Sequence, residues 1–304
     1  MGKSNRTSKR RFWNRCSLWN RRSLWIALIL AFGLPLGCQM MMPSELKQAS
    51  AAAKRLELAQ PDALGMRAEL HVFQTTPHSA GTKSTTSIEP LTTIVMIHGS
   101  PGDWGAYAPF LEDPSWTNTF RIIAPDRPGF GKSQAAGTEV PSLKNQAARL
   151  AALTQDLSGK KIWIGHSFGA TVVGQVAIDY PDQVDGLLLI AGAYAPELEQ
   201  PRWFNRLASA GEKVGVVRGG LKRSNQEIYA YADQLDYMDW SKVICPTVIL
   251  HGRNDNLASP NNVDWLESRL HGSEVQLDWV QDGGHLILWT HPQRVRAALD
   301  RLLE

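Results

Sequence analysis

Short apolar runs alternate with helix-like segments along most of the chain. The apolar runs predict buried strands at 92–97, 120–124, 160–164, 186–190, 246–251 and 274–280. The segments between and after them predict helices at 143–157, 170–178, 263–270 and 292–303. Because strands that alternate with helices form parallel sheets, the pattern predicts one α/β domain over residues 66–304.

The chain before the first buried strand has a different composition. Residues 66–73 alternate between apolar and polar side chains, which predicts an edge strand, and residues 75–87 are dense in Thr, Ser and Gly, which predicts a hairpin loop. Residues 44–60 are rich in Ala, Lys, Glu and Gln and predict a partly exposed helix. We expect residues 39–65 to act as a tether.

The segment 194–242 interrupts the alternation of strands and helices. It falls between the predicted strands at 186–190 and 246–251. Its aromatic residues are Trp203, Phe204, Tyr229, Tyr231, Tyr237 and Trp240. We expect most of these side chains to pack this segment onto the sheet, and some to line a modest apolar pocket.

A serine lies between two glycines in Gly165–Gly169, whose sequence is G-H-S-F-G, directly after the apolar run 160–164. In a G-x-S-x-G motif the serine occupies a sharp turn between a strand and a helix, with its hydroxyl exposed above the sheet. Its neighbours must be small because strand and helix approach closely there. Ser167 is therefore the candidate nucleophile. Because serine between glycines also occurs in ordinary loops, the assignment depends on its partners.

A nucleophilic serine needs a general base, and the base needs an acid that orients it. In a parallel sheet these groups follow the carboxyl ends of the strands. Asp255 comes just after the strand at 246–251. His285 follows the strand at 274–280 through a Gly-Gly pair, which lets the loop bring an imidazole across the sheet edge. We predict Asp255 as the acid and His285 as the base.

The other carboxylates and imidazoles after Ser167 fit these roles less well. Asp282 is too close to His285 along the chain to reach its ring, and Asp278 is expected on a strand face. The remaining histidines of this part of the chain are expected in structural or solvated positions, at His251, His271 and His291.

Four motifs resemble those of the α/β-hydrolase family, over about residues 66–304. They are HGSPG at 98–102, DRPGFGKS at 126–133, GHSFG at 165–169 and GGH at 283–285. The resemblance is nearest to bacterial carboxylesterases, C–C hydrolases and proline-iminopeptidase-like members. It implies an α/β-hydrolase fold, with a mostly parallel sheet, helices on both faces and a small helical cap at 194–242. Dehalogenases and epoxide hydrolases of this fold carry aspartate at the turn, so Ser167 argues against both.

The same resemblance implies roles for the loops beside the serine. The backbone N–H groups of Ser100 and Phe168 are expected to form the oxyanion hole. His98 is expected to hold the glycine-rich loop by hydrogen bonds. Asp126 is expected to belong to a structural turn after the strand at 120–124, with no part in the chemistry.

Residues 1–38 contain eight basic residues and no acidic ones, and the last part of this segment is a short apolar stretch. This pattern is typical of a secretory signal and is too short for a comfortable membrane span. The stretch ends in Leu36–Cys38, which resembles a bacterial lipoprotein processing site with a lipidated Cys38. The alternatives are an uncleaved signal-anchor or cleavage without lipid. We expect an exported protein, anchored to a membrane on its periplasmic or outer side.

Charge and metal-ligand spacing exclude several other classes of function. Residues 39–304 contain 24 basic and 29 acidic residues, so nothing in this part of the chain indicates binding to nucleic acid. No cluster of residues has metal-ligand spacing, and no metal or other cofactor is expected. Cys245 is expected to be a buried small hydrophobic residue.

We therefore expect a serine hydrolase that cleaves small ester or related acyl substrates through an acyl-enzyme. One alternative is a proline-iminopeptidase-like aminopeptidase, and a less favoured one is a non-catalytic binding protein on the same fold. The aminopeptidase would need carboxylates in the cap to bind a substrate amine, and the candidates are Glu197, Glu199, Glu212, Glu227, Asp233, Asp236 and Asp239. The sequence leaves the oligomeric state open.

Overall fold

A computed structural model describes residues 54–57, 69–77, 91–133 and 140–304. The strands in these ranges are β1 (Lys54–Glu57), β2 (Glu69–Thr75), β3 (Thr93–Ile97), β4 (Arg121–Pro125), β5 (Lys161–His166), β6 (Gly186–Ile190), β7 (Thr247–Gly252) and β8 (Val275–Val280). They form one sheet of eight strands in the order β1-β2-β4-β3-β5-β6-β7-β8. The pairs β1–β2 and β2–β4 are antiparallel, and all later pairs are parallel.

Nine α-helices lie in the described part of the chain. They are α1 (Ala108–Leu111), α2 (Pro114–Thr117), α3 (Leu143–Ala151), α4 (Phe168–Asp179), α5 (Trp203–Lys213), α6 (Gly219–Leu235), α7 (Asn261–Glu267), α8 (Ile287–Thr290) and α9 (Pro292–Leu303). Short 3₁₀ helices occupy Trp104–Tyr107, Pro181–Gln183 and Trp240–Lys242. The predicted strands at 92–97, 120–124, 160–164, 186–190, 246–251 and 274–280 are confirmed with small shifts of their ends.

Both faces of the sheet are covered by helices, which explains why the central strands are almost continuously apolar. Successive residues of β3 illustrate this, because Val95 and Ile97 join a cluster with α3, α4 and α7, whereas Ile94 and Met96 join one with α1, α2, α8 and α9. The α/β class with helices on both faces, which the motif resemblance implied, is confirmed.

The N-terminal side of the sheet corrects two predictions. Lys54–Glu57 form a strand of the sheet, paired with residues 69–72, so the helix predicted over 44–60 is wrong for these four residues. The rest of that helix and of the tether predicted over 39–65 lies outside the described residues. The strand β2 is consequently covered by β1 and is not an edge strand. Backbone pairing with the neighbouring strand outweighs the helix propensity of an alanine-rich segment, because tertiary context overrides propensity.

The segment between β6 and β7, residues 191–246, contains α5 and α6 and is called the insertion below. Three of its aromatic side chains are buried, those of Tyr194, Tyr231 and Trp240, and the Trp240 ring packs so closely on α4 that a Cβ added to Gly174 would lie 2.2 Å from it. Trp203, Tyr229 and Tyr237 are exposed, so the expectation that most of the aromatic residues pack onto the sheet is wrong.

The turn after β4 is organised by the buried carboxylate of Asp126. One of its oxygens accepts a hydrogen bond from Trp104 N at 2.9 Å, and the other accepts from Lys132 N at 2.8 Å and lies 3.0 Å from His71 Nδ1. A Cβ on Gly131, where φ is +51°, would lie 2.3 Å from this carboxylate, so the close approach requires glycine. Asp126 thus joins β2, the turn after β4 and the segment that follows the loop at 98–102.

The predicted export signal and lipidation site at residues 1–38 lie outside the described residues. None of the helices within the described ranges is long and apolar enough to cross a membrane. Cys245 is a buried free cysteine, as expected, and burial raises the pKa of its thiol to about 12.

Replacing Asp126 by Ala should strongly destabilise the fold. The change leaves the buried N–H of Trp104 and the part-buried N–H of Lys132 without their acceptor, which costs about 3 kcal/mol in the free energy of unfolding. Urea denaturation measures this difference.

Asp113→Ala is the matched control. Asp113 only caps α2, through a hydrogen bond from Ser115 N at a partly exposed position, and loss of this cap costs about 1 kcal/mol. Equal losses in the two variants would contradict the structural role of Asp126.

Candidate active site

Ser167 lies at the turn between β5 and α4, in a backbone conformation that is unusual for a residue with a side chain. Its φ is 55° and its ψ is −128°, and it caps the N-terminus of α4. Among the non-glycine residues that the structure describes, Ser167 shares positive φ with Ala191 alone. Such a conformation costs about 1–3 kcal/mol and persists only where the surroundings enforce it.

Glycines enforce this turn by allowing three backbone segments to meet around Ser167. A Cβ on Gly165 would lie 2.4 Å from the carbonyl oxygen of Gly169, and one on Gly169 would lie 2.1 Å from that of Ile97. A Cβ on Gly99 would lie 2.9 Å from Cβ of Ser167. Strand β5, helix α4 and the loop after β3 can therefore approach one another only if these positions are glycine.

The structure brings Ser167, His285 and Asp255 together in one hydrogen-bonded line. His285 Nε2 lies 3.0 Å from Ser167 Oγ, and His285 Nδ1 lies 2.8 Å from Asp255 Oδ2. Asp255 and His285 lie in the loops after the adjacent parallel strands β7 and β8. A carboxylate at Nδ1 holds the proton on that nitrogen, which leaves Nε2 free to accept the proton of the serine hydroxyl.

The carboxylate of Asp255 is buried and fixed on both oxygens. Oδ1 accepts hydrogen bonds from Leu257 N at 2.8 Å and Ala258 N at 2.9 Å, so Oδ2 is left to face His285. Burial raises the pKa of Asp255, but the hydrogen bond and the charge of His285, with the bond from Leu257 N, outweigh it and hold the pKa below its ordinary value. Asp255 therefore stays ionised at neutral pH.

The alternatives rejected from the sequence lie elsewhere or have other contacts. Asp278 pairs with Arg294 and Arg301, and the exposed Asp282 lies 3.6 Å from His291 Nε2. His251 lies closer to the site than we expected, with Nε2 3.5 Å from Asp255 Oδ2 and 3.2 Å from the carbonyl oxygen of Ala258. Burial lowers the pKa of His251.

His166 is a component of the site that the sequence reasoning missed. Its Nε2 donates a hydrogen bond to the carbonyl oxygen of His285 at 3.0 Å, and its ring packs edge-on against Trp289. Burial lowers the pKa of His166 to about 3, so the imidazole is neutral at physiological pH. It can therefore hold the backbone of His285 in place without adding a charge beside it. Its position within the G-x-S-x-G motif is the one signal that could have identified it.

The loop at 98–102 is held by a chain of hydrogen bonds. The N–H of Arg127 donates to His98 Nε2 at 2.9 Å, so Nδ1 carries the proton of this ring and donates to the carbonyl oxygen of Gly99 at 2.8 Å. Arg127 Nη2 donates to the same oxygen at 3.2 Å. Because C=O and N–H of a trans peptide point in opposite directions, the N–H of Ser100 is aimed away from Arg127.

The N–H of Phe168 is the second donor predicted for the oxyanion hole. It is the first N–H of α4, where the helix dipole favours negative charge. Within the described ranges neither this N–H nor that of Ser100 donates to another protein group. Two backbone donors beside Ser167 are thus available to an oxygen of a bound molecule.

Arg127 forms a buried ion pair with Glu227 of α6. Nη1 and Nη2 lie 2.6 and 3.0 Å from the two carboxylate oxygens, and both side chains are fully buried. Gln146 and Tyr231 complete the cluster, because Arg127 Nη1 donates to Gln146 Oε1 at 3.0 Å and Gln146 Nε2 donates to the Tyr231 hydroxyl at 2.7 Å. The insertion is thereby connected to the loop that carries Ser100.

Comparison with protein families gives one match that spans most of the chain. The sequence profile described as "Alpha/beta hydrolase family" matches residues 94–298. That range includes all the side chains of the site described above.

Two curated bacterial relatives resemble the chain to different extents. The (E)-2-((N-methylformamido)methylene)succinate hydrolase of Acinetobacter baylyi is 24% identical over 243 residues, which cover 69% of this chain and 90% of the relative. The pimeloyl-[acyl-carrier protein] methyl ester esterase of Shewanella oneidensis is 36% identical over 100 residues, which cover 33% of this chain and 35% of that relative.

Solved structures resemble the chain in fold. A thermophilic esterase from Thermogutta terrifontis has a TM-score of 0.62 at 23% identity and covers 83% of this chain and 98% of its own. A monoacylglycerol lipase from Paleococcus ferrophilus has a TM-score of 0.58 at 18% identity and covers 77% of this chain and 98% of its own. At these identities the likeness establishes the fold.

Replacing Glu227 by Gln should destabilise the protein by about 3–5 kcal/mol, because the charge of Arg127 would remain buried without a partner. The matched control is Glu212→Gln in α5, where Glu212 is only partly buried and accepts hydrogen bonds from neutral amides. Denaturant unfolding at neutral pH measures both. A loss no greater than that of the control would contradict the importance of the ion pair.

The stability difference between the parent and Glu227→Gln should shrink in acid. Burial raises the pKa of Glu227, but the charge and hydrogen bonds of Arg127 outweigh it, so the folded pKa lies below its ordinary value. The contribution is therefore full above the unfolded value of about 4.3 and is lost as the pH falls through the folded pKa. Unfolding free energies measured from pH 7 downwards test this, and a difference that grows in acid would contradict it.

Proposed function

The chain belongs to the α/β hydrolase family, and within it we propose a serine hydrolase that cleaves small ester or related acyl substrates through an acyl-enzyme. In this proposal Ser167 is the nucleophile, His285 the general base and Asp255 the acid that orients the base. The N–H groups of Ser100 and Phe168 form the oxyanion hole.

The observation that carries the proposal is the line from Ser167 Oγ to His285 Nε2 at 3.0 Å and from His285 Nδ1 to Asp255 Oδ2 at 2.8 Å. A binding protein on this fold would not need these three side chains in contact. It would also have no use for a serine held in a strained conformation, beside two N–H groups that have no acceptor in the described part of the chain.

The first half of the reaction forms the acyl-enzyme. Ser167 Oγ attacks the carbonyl carbon of the substrate while His285 Nε2 takes the hydroxyl proton. The carbonyl oxygen becomes an oxyanion that accepts hydrogen bonds from Ser100 N and Phe168 N. When the tetrahedral intermediate collapses, the bond to the leaving oxygen breaks, and His285 donates its proton to that oxygen, which departs as an alcohol.

The second half of the reaction returns the enzyme to its starting state. Water attacks the acyl carbon and gives a proton to His285 Nε2, and the same two N–H groups bind the second oxyanion. The bond to Ser167 Oγ then breaks, the acid leaves, and Ser167 recovers its proton from His285. Asp255 stays ionised throughout and stabilises the imidazolium that forms in each half.

Contacts of the insertion support ester cleavage over the aminopeptidase alternative. Of the seven carboxylates that could bind a substrate amine, three have partners: Glu227 is paired with Arg127, Glu212 accepts from Asn225 at 2.9 Å, and Glu199 accepts from Asn262 at 2.9 Å. The other four, Glu197, Asp233, Asp236 and Asp239, are exposed to solvent. The name of the Shewanella oneidensis relative, a methyl ester esterase, also favours an ester. Hydrolysis of a chromogenic ester but not of a prolyl amide is the expected result.

The location of the enzyme is a separate part of the proposal. The eight basic residues of 1–38, the short apolar core and Gly37–Cys38 support export, followed by lipidation of Cys38. The alternatives are an uncleaved signal-anchor and cleavage of the signal without lipidation. The enzyme would then work at a membrane on its periplasmic or outer side, on a small-molecule substrate.

Replacing Ser167 by Ala should lower the turnover of a chromogenic ester by about four orders of magnitude or more, because the nucleophile is lost. A fluorophosphonate probe should label the parent at Ser167 and leave the variant unlabelled. The free energy of unfolding should change by about 1 kcal/mol or less. Ser115→Ala, at an exposed position in α2, is the control and should keep full activity and labelling. Activity retained without Ser167 would refute the mechanism.

Replacing Cys38 by Ser should move the protein out of the membrane fraction or leave its signal uncleaved. A thioether-linked diacylglycerol needs the cysteine sulfur, and several acyl chains are needed for firm anchoring. Fractionation and gel migration in a bacterial host measure both effects, with Cys16→Ser as the control. If Cys38→Ser fractionates and migrates like the parent, the lipoprotein interpretation is wrong and a signal-anchor explains the location.

A further inference from the structure

Helix α5 of the insertion is oriented with its apolar side toward solvent. The exposed fraction is 57% for Trp203, 62% for Leu207 and 75% for Val214, which directly follows the helix. These positions recur at helical spacing, so they share one face. Val216, in the turn that leads to α6, extends the apolar surface and is 67% exposed.

The opposite side of α5 is polar and faces α6. Asn225 of α6 accepts a hydrogen bond from Asn205 Nδ2 at 3.2 Å and donates to Ser209 Oγ and Glu212 Oε1, both at 2.9 Å. Asn205 is the one buried residue of α5. These hydrogen bonds fix the orientation of α5, and they hold its apolar side toward solvent.

Basic side chains lie along one flank of the apolar face and beyond its end. Arg206, Lys213 and Arg218 are exposed, and the single acidic residue between 202 and 223, Glu212, is turned toward α6. This stretch holds six of the 24 basic residues of 39–304 but only one of the 29 acidic residues. A positive patch thus lies on an otherwise acidic domain.

We propose that the face formed by Trp203, Arg206, Leu207, Lys213 and Val214, called the α5 face, docks on the surface of an anionic phospholipid bilayer. A helix with tryptophan and aliphatic residues flanked by Lys and Arg is suited to lie in such an interface. A second copy of the chain fits less well, because a two-fold contact would set the same basic side chains against each other. The inference does not depend on the esterase proposal.

The N-terminus of α5 is attached to the loop that carries Asp255. The guanidinium of Arg202 donates to the carbonyl oxygens of Asn256 and Leu257, both at 3.0 Å. Docking of the α5 face would consequently bring the bilayer beside one of the loops that build the candidate site. An ester dissolved in the membrane would then have a short path to that site.

The test measures contact of one side chain with lipid, because the full chain is expected to associate with vesicles through its N-terminus in any case. The full chain is reconstituted in vesicles of phosphatidylcholine alone or of phosphatidylcholine with phosphatidylglycerol, made with or without brominated acyl chains. The fluorescence of Trp203 is obtained as the difference between the parent and Trp203→Phe. Bromine should quench it in the anionic vesicles, and quenching should be weak in the neutral ones.

Reversing the charges with Arg206→Glu and Lys213→Glu should shift the docking equilibrium by about tenfold or more away from the bilayer. Reversing Lys144 and Lys242, which are exposed outside the α5 face, should have no effect. Tyr237 is 83% exposed in the same insertion, and the fluorescence added by Tyr237→Trp in the Trp203→Phe background should escape quenching.

Three results would overturn the proposal. Trp203 could remain unquenched in the anionic vesicles, or it could be quenched equally in neutral vesicles and after charge reversal. The third result is that Trp203 becomes inaccessible to quenching by aqueous iodide at high protein concentration, with or without lipid. That result would mean that the α5 face binds a second copy of the chain. Circular dichroism and thermal unfolding of each variant confirm that the fold is intact.

Discussion

The rest of the site depends on the close approach of three backbone segments at Ser167. Strand β5, helix α4 and the loop after β3 meet at distances that leave no room for a Cβ at Gly165, Gly169 or Gly99. This crowding holds Ser167 at a φ of 55°, a conformation that an isolated chain would avoid. Its hydroxyl is thereby presented to His285, and the first N–H of α4 is left without an acceptor among the residues that the structure describes. One steric constraint thus determines the position of the nucleophile and of one oxyanion donor.

A second, electrostatic constraint connects the insertion to this arrangement. Glu227 lies in α6, yet it is paired with Arg127 of the turn after β4, and Arg127 binds the carbonyl oxygen of Gly99. That carbonyl shares a peptide unit with the N–H of Ser100. The orientation of this N–H, one of the two proposed oxyanion donors, therefore depends on an ion pair formed with the insertion. A buried pair of this kind contributes little net stability, but removing one partner is costly. It therefore favours one arrangement of insertion and loop over others.

The sequence predicted those parts of the structure that local patterns encode. Six strands and the parallel sheet follow from short apolar runs and helical spacing, and the glycines around Ser167 predicted its turn. The helices on both faces were implied by the family resemblance. Ser167, Asp255 and His285 meet as the order of strands implied, and their catalytic roles remain predictions.

The strand at Lys54–Glu57 was missed, because its pairing partner and not its own composition decides its conformation. The bonds from Arg127 to Glu227 and from His166 to the backbone of His285 join residues 100 and 119 positions apart, and no local pattern encodes such pairs. The outward side of α5 was also missed, because the same apolar spacing describes a helix that faces a core.

The measurement that tests the central claim most directly is the isolation of an acyl group on Ser167. The full chain is mixed with excess p-nitrophenyl acetate, quenched in acid on the millisecond scale, digested and analysed by mass spectrometry. We predict a burst of p-nitrophenol equal in amount to the enzyme, with the acetyl group on the peptide that contains Ser167 and on no other. An acetyl group on a different residue, or steady hydrolysis with Ser167 unmodified at every time point, would contradict the account.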